Sequence, residues 1–132
     1  MSRFNKNGII LISILTIGIL LSFFSYQSKS HKSIKLIDIE SINIWGNTTR
    51  IASSDEVRDI VNWFNSITDI RANKDFEGTT PEAGIVIKLK TGDSILILKS
   101  GIDFEVQRTN IFGKRISYWG KEANIRRLLE FH

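Results

Sequence analysis

Residues 8–24, GIILISILTIGILLSFF, form an uncharged run of seventeen between MSRFNKN and SYQSKSHKS. As a helix rising about 1.5 Å per residue it is roughly 25 Å long, slightly under the about 30 Å of a bilayer's hydrocarbon core. Ser13, Thr16 and Ser22 do not make the polar stripe that a helix resting on a soluble core would carry. The run therefore predicts an N-terminal transmembrane anchor at 8–24, behind a basic tail at 1–7 and ahead of a polar linker at 25–33. A cleaved secretory signal is the alternative. Arg3 and Lys6 supply its charged start, but such signals carry about 7–15 apolar residues and end in a small-x-small cleavage site. Ser28-Lys29-Ser30 has the small residues and lies well beyond Phe24. A lipoprotein signal is excluded, because the chain has no Cys to carry the lipid.

Arg3 and Lys6 on one side, against Lys29, Lys32 and Lys35 on the other, leave the positive-inside count nearly balanced. The short N-terminal tail points to N-in, with residues 34–132 outside the membrane, as for a signal that is never cut. Charge then narrows the partners. Eighteen Lys and Arg against fourteen Asp and Glu give +4, and Arg3, Lys6, Lys29 and Lys32 precede residue 34 with no acid among them. Residues 34–132 thus hold fourteen of each sign, a neutral domain of about 100 residues with room for one modest core. Counterion release from nucleic acid needs cations on the folded domain, so a nucleic-acid partner is excluded. The basic flanks suit anionic lipid headgroups instead. Without Cys there is no disulfide, thiol catalysis or Cys-based zinc site. His31 in the spacer and His132 at the last position read as solvated, and no cofactor, metal ligand or catalytic residue is assigned.

The fold begins near Ile34. Ile37 and Ile39 alternate with Asp38 and Glu40, then Ile42 and Ile44 resume on the other parity, which predicts a bulge near Ser41 or two short strands meeting there. Gly46-Asn47 reads as a two-residue hairpin turn into a return strand at 48–52. Asn47-Thr48-Thr49 matches a glycosylation acceptor, a pattern too common to carry weight. Ser53 and Glu56 have capping-box spacing and open a helix whose Val57, Ile60, Val61, Phe64 and Ile67 share one face, with Trp63 at its edge as core flank. Residues 69–84 have no period and contain the only proline, Pro81, so they read as a long loop, either an interaction site or disordered.

A meander follows. A Gly92-Asp93 turn would set Leu89 opposite Leu96 and Ile87 opposite Leu98, and a loop at Lys99-Ser100-Gly101 would bring Ile102, Phe104 and Val106 onto the same face as Ile85, Ile87 and Leu89. The other face would then carry Lys88, Ile97, Asp103 and Lys90, Ile95, Glu105, a wet surface or a small binding face. A last strand runs at about 115–119, where Tyr118-Trp119 reads as sheet contact. A helix at 120–131 puts Ile125, Leu128 and Leu129 opposite Arg126 and Arg127. The expected class is α+β: an N-terminal transmembrane helix, then an antiparallel sheet (hairpin plus meander) with two helices on one face.

The anchor, the capped helix SDEVRDIVNWFNSI, the loop with DFEG, the hairpins GIVIKLKTGDSILILKSGIDFEV and the closing YWGKEANIRRLLEF together resemble small membrane-anchored or exported uncharacterised proteins of Bacillus-like Gram-positive bacteria. The resemblance implies an extracytoplasmic domain and supplies no active-site residues. Three functions are consistent with the sequence. The first is a membrane-tethered extracytoplasmic binding module for a protein or cell-envelope partner. The second is a partner-specific inhibitor or immunity-type membrane protein, and the third a hydrolase using Asp75 and Glu77. No base, nucleophile or metal cluster supports the hydrolase, so the expectation is a non-enzyme.

Overall fold

The computed structural model describes residues 6–73, 81–100 and 103–121, and the chain divides into two compact units, Met1–Lys32 and Ser33–His132. The first holds helix α1, Lys6–Ser30. Side chains are described for its residues 8–22, which amount to about 22 Å of helix. Among the described residues no helix is long and apolar enough to cross a membrane. What the structure shows at 8–24 is a helix.

The second unit is α+β. It opens with a 3-10 turn, Leu36–Asp38, and continues with β1 (Ile39–Trp45), β2 (Thr49–Ile51), α2 (Ser54–Asn65), β3 (Thr68–Ala72), β4 (Ala83–Leu89), β5 (Ser94–Ser100), β6 (Asp103–Thr109) and β7 (Arg115–Lys121). The strands form one antiparallel sheet in the order β2-β1-β4-β5-β6-β7-β3. The expected bulge is present, since the β1–β4 register shifts between Ile39 and Ser41, which carries Ile42 and Ile44 into the core. Ile37, expected in the strand, instead lies in the 3-10 turn and is exposed. The β1–β2 loop has three residues, because Trp45 pairs with Thr49. Helix α2 starts on the expected capping box and buries Ile60, Val61, Trp63 and Phe64.

Two expected registers fail, and their effects offset. The β4–β5 loop is Lys90-Thr91-Gly92: Leu89 N–H donates to the Asp93 carbonyl (2.9 Å), Gly92 N–H donates to the Leu89 carbonyl (2.9 Å), and Gly92 sits at φ +94°. A left-handed glycine closing a three-residue loop matches the strand twist better than the two-residue Gly92-Asp93 turn. Ile85 then pairs with Ile97 and Ile87 with Ile95. At the next turn Ser100 pairs with Asp103 and Ile97 with Val106, in place of a loop at Lys99-Ser100-Gly101. Each change moves the register by an odd number of residues, and so inverts a face. β4 and β6 keep their expected faces, while β5 alone turns over. Ile95 and Ile97 are core residues, 1% and 0% exposed, and Leu96 and Leu98 lie half-buried on the other face. The rows Lys88, Ile97, Asp103 and Lys90, Ile95, Glu105 do not form.

The core is built on Ile42, Ile44, Ile85, Ile87, Ile95, Ile97, Phe104, Val106 and Tyr118, covered by α2. The Trp63 ring lies 5.1 Å from that of Phe104, and the Arg108 guanidinium lies 5.8 Å over the Phe64 ring. The loop expected at 69–84 is shorter at both ends. β3 occupies Thr68–Ala72 on the far edge beside β7, with Asp69 at φ 53° where that register shifts, and β4 begins at Ala83. Asp75 and Glu77 lie outside the described residues. The helix expected at 120–131 does not begin at Gly120, which belongs with Lys121 to β7; residues 122–132, His132 included, lie outside the described residues.

Candidate functional site

β2 is only three residues long, and its pairing with β1 begins at Asn43 opposite Ile51. One further bond, Ala52 N–H to the Ile42 carbonyl (2.9 Å), carries the chain toward α2. Next to it, between the start of β1, the 3-10 turn and the first turn of α2, lies an open groove of about 300 Å³. Leu36, Ile39, Ile42, Ile51, Ala52 and Val57 form its apolar wall, and Glu40, Ser41 and Ser54 supply oxygens at the rim. Ile51 is 74% exposed and Leu36 47%, which leaves the mouth apolar. The volume is at the lower end for small-molecule pockets and suits one compact apolar group with a donor facing the rim.

The wall is fixed by a charge clamp. Arg50 Nη1 donates to Glu56 Oε2 (2.7 Å) and Nη2 to Oε1 (2.6 Å), a two-bond grip between β2 and α2. Glu56 Oε2 also accepts from Ser53 N–H (2.8 Å), and Ser53 Oγ accepts from Glu56 N–H (3.4 Å), closing the capping box. The Arg50 guanidinium, helped by the Ser53 N–H, holds the Glu56 carboxyl at about 2, well below the usual carboxylate range. The clamp spans residues 50–56, so it sets the positions of Ile51, Ala52 and Ser54 on the groove wall. At the other end of α2, Asn65 Oδ1 accepts from Ile34 N–H and its Nδ2 donates to the Ile34 carbonyl, both at 2.9 Å. That pair pins the incoming chain just before the 3-10 turn.

A second polar cluster lies on the opposite face of the sheet. Glu105 is 1% exposed, and its Oε1 accepts from Ser117 Oγ (2.7 Å), Gln107 Nε2 (2.8 Å) and Asn73 Nδ2 (3.3 Å). Asn73 Nδ2 also donates to Ser117 Oγ (3.2 Å). These bonds join β6, β7 and the end of β3, and tie the far edge strand to the middle of the sheet. Beside them Arg71 pairs with Asp103 (3.2 Å). Glu105 Oε2 has no hydrogen-bond partner among the described residues. In the same row Trp45 and Trp119 are half-buried, and Trp45 lies across Gly84 so closely that a Cβ there would come within 2.5 Å of its ring. The cluster holds β3, β6 and β7 together.

Among the described residues, none of those singled out for chemistry lines the groove; Asp75, Glu77 and His132 lie outside the described residues. Trp63 is buried in the core, as expected, and Tyr118 is fully buried, where desolvation pushes its phenol up to about 12 against the opposing effect of Arg108. His31 is half-buried within the first unit, and Asn47, Thr48 and Thr49 are exposed at the β1–β2 turn. Among the described residues no group of three or more His, Cys, Asp or Glu is placed to hold a metal. Arg50 and Leu36 were not legible as site residues. The usable signals were an Arg shortly before a capping-box Glu, and apolar residues left over once the strands were drawn. No protein-family model, curated protein or solved structure matches the chain.

Proposed function

We propose that this chain is a membrane-tethered binding module, held by residues 8–24 with its folded unit outside the cytoplasmic membrane, and that the groove at the β2–α2 junction takes its ligand. The tether reading rests on α1. Ten of its Ile and Leu side chains, from Ile9 to Leu21, are each at least 50% exposed. Its hydroxyls need no water, because Ser13, Thr16 and Ser22 each donate to the carbonyl four residues back, at 2.9, 2.9 and 2.8 Å. A helix apolar on every side and self-satisfied in its polar groups is suited to lipid.

The binding reading is non-catalytic. Glu105, the most shielded carboxylate described, has one oxygen occupied by three neutral donors and serves the sheet. The groove offers an apolar wall with a few rim oxygens, a composition that recognises shape and one donor without activating a bond.

Protease treatment of intact protoplasts tests the tether: digestion of the folded unit before lysis is expected, and its survival until lysis would overturn the orientation. A photo-crosslinking amino acid at Ile51 in cells tests the groove. Adducts are expected at Ile51, not at Asn47, and should disappear when Val57→Trp fills the groove. Equal adducts at both positions would refute the site.

A further inference from the structure

We infer that one end of the sheet, formed by the β6–β7 loop, the β4–β5 loop and the 3-10 turn, rests on an anionic lipid bilayer surface. The inference builds on the tether reading and names the face that meets the membrane. Among the described residues of the folded unit six large hydrophobic side chains are exposed, and five of them belong to this end: Leu36 at 47%, Ile37 at 72%, Ile111 at 59%, Phe112 at 87% and Ile116 at 37%. It is where β1, β5 and β7 begin and β4 and β6 end, as the pairs Ile39–Leu89, Ser94–Thr109 and Thr109–Arg115 require. A monomer's exposed apolar side chains are normally scattered, so a concentration at one end marks a contact surface.

The chemistry around these residues points to lipid. Lys35, Lys90, Lys114 and Arg115 are exposed at the same end, against the carboxylates of Asp38, Glu40 and Asp93. Apolar side chains ringed by cations match an interface in which acyl chains lie beneath anionic headgroups.

The tip is also built to leave water. Asn110 N–H donates to the Lys114 carbonyl (3.0 Å) and Gly113 N–H to the Asn110 carbonyl (2.9 Å). Ile111 N–H donates to Asp93 Oδ1 (3.0 Å), while Phe112 and Lys114 N–H donate to Asn110 Oδ1 (3.0 and 2.9 Å). Every backbone donor from Asn110 to Lys114 is therefore satisfied inside the protein, which removes the cost of taking unpaired amides into a less polar medium. These bonds hold the loop, and the Ile111 side chain also lies against Gly92 of the β4–β5 loop.

Chain direction agrees. The folded unit begins at Ser33 and within five residues reaches this end, where the Asp38 carbonyl accepts from Lys90 N–H (2.9 Å). The residues that follow the proposed anchor therefore enter the domain on the side proposed to face lipid.

The chain has no cysteine, so a single introduced thiol reports one position. Full-length protein carrying Thr91→Cys or Asn47→Cys, each labelled with a polarity-sensitive nitrobenzoxadiazole dye, is reconstituted in phosphatidylglycerol–phosphatidylcholine vesicles and floated on a density gradient. The Thr91 site is expected to emit at shorter wavelength and to be quenched several-fold more by lipid with a shallow nitroxide than the Asn47 site at the other end. Ile111→Ser with Phe112→Ser should remove that difference while circular dichroism stays unchanged. Flotation with both probes water-exposed would overturn the inference and leave the tether reading standing. Failure to float would overturn both. A blue shift at the Thr91 site in lipid-free detergent that grows with protein concentration would assign the surface to a second copy of the chain and overturn the lipid assignment.

Discussion

Glu56 closes the capping box of α2 and grips Arg50 on β2, so its removal tests whether local bonding at residues 50–56 stabilises the domain. Glu56→Ala loses the ion pair and the bond from Ser53 N–H to Oε2, and keeps the bond from its own N–H to Ser53 Oγ. The lost cap bond is worth about 1 kcal/mol. The ion pair is bidentate, but its side chains remain 27% and 26% exposed, and solvent screening limits such a pair to about 1 kcal/mol. Together they predict a loss of about 1–2 kcal/mol, or roughly 5–10 °C in Tm for a domain of this size. Glu56→Gln keeps an oxygen for the Ser53 N–H and loses the charge, so it should cost about half as much. The assay is thermal unfolding of the full chain in detergent followed by near-ultraviolet circular dichroism, because all three Trp lie in residues 34–132 and α1 contributes none.

The pH dependence separates the two contributions. Glu56 has a folded pKa lowered to about 2, so its contribution is complete above the ordinary carboxylate value and is lost as pH falls from about 4 toward 2. The difference between the wild type and Glu56→Gln should shrink across that window. A gap as wide at pH 2 as at pH 7 would refute the ion-pair assignment. A Glu56→Ala loss no larger than that of Ser53→Ala would refute the clamp.

Three further outcomes follow from the core and the sheet. Ile97→Ala should cost about 2–5 kcal/mol in denaturant unfolding, because Ile97 is fully buried, whereas half-buried Leu96→Ala should cost clearly less; the reverse order would refute the β5 register. Gly84→Ala places a Cβ 2.5 Å from the Trp45 ring and should cost about 1–3 kcal/mol, with Trp45→Ala rescuing part of the loss in a double-mutant cycle; purely additive losses would refute the contact. Spectrophotometric titration should show Tyr118 ionising near pH 12; because its folded pKa is raised, its contribution to stability is intact below about pH 10 and is lost as pH rises toward 12, and ionisation of Tyr118 near pH 10 in the folded protein would overturn its burial.

Local chemistry made α2 legible. A Ser and a Glu three apart marked its start, and apolar residues at helical spacing traced its buried face, running on to Ile67, two residues past its end at Asn65. The bulge in β1 was legible for a similar reason, because the parity of Ile37, Ile39, Ile42 and Ile44 breaks once. β5 was not, since ILIL offers an aliphatic residue to each face and leaves the choice to the turns on either side. Both turns had more than one glycine-compatible register, and only the pairing across the sheet decides between them. β3 was hidden because Asp69, at positive φ, interrupts its alternation. The groove was the least legible part. It exists because β2 stops short of β1's start, and a strand's ending leaves no mark in its own residues.

The sheet also shows why the incoming chain matters to the fold. Seven strands at about 4.8 Å spacing make a face about 29 Å across, while the twelve residues of α2 reach about 18 Å. Among the described residues part of the remaining cover comes from Ile34. Ile34 is 6% exposed within the core cluster, and Asn65 holds its backbone by both amide groups. Ile34, at the start of the second unit, is therefore part of that unit's core.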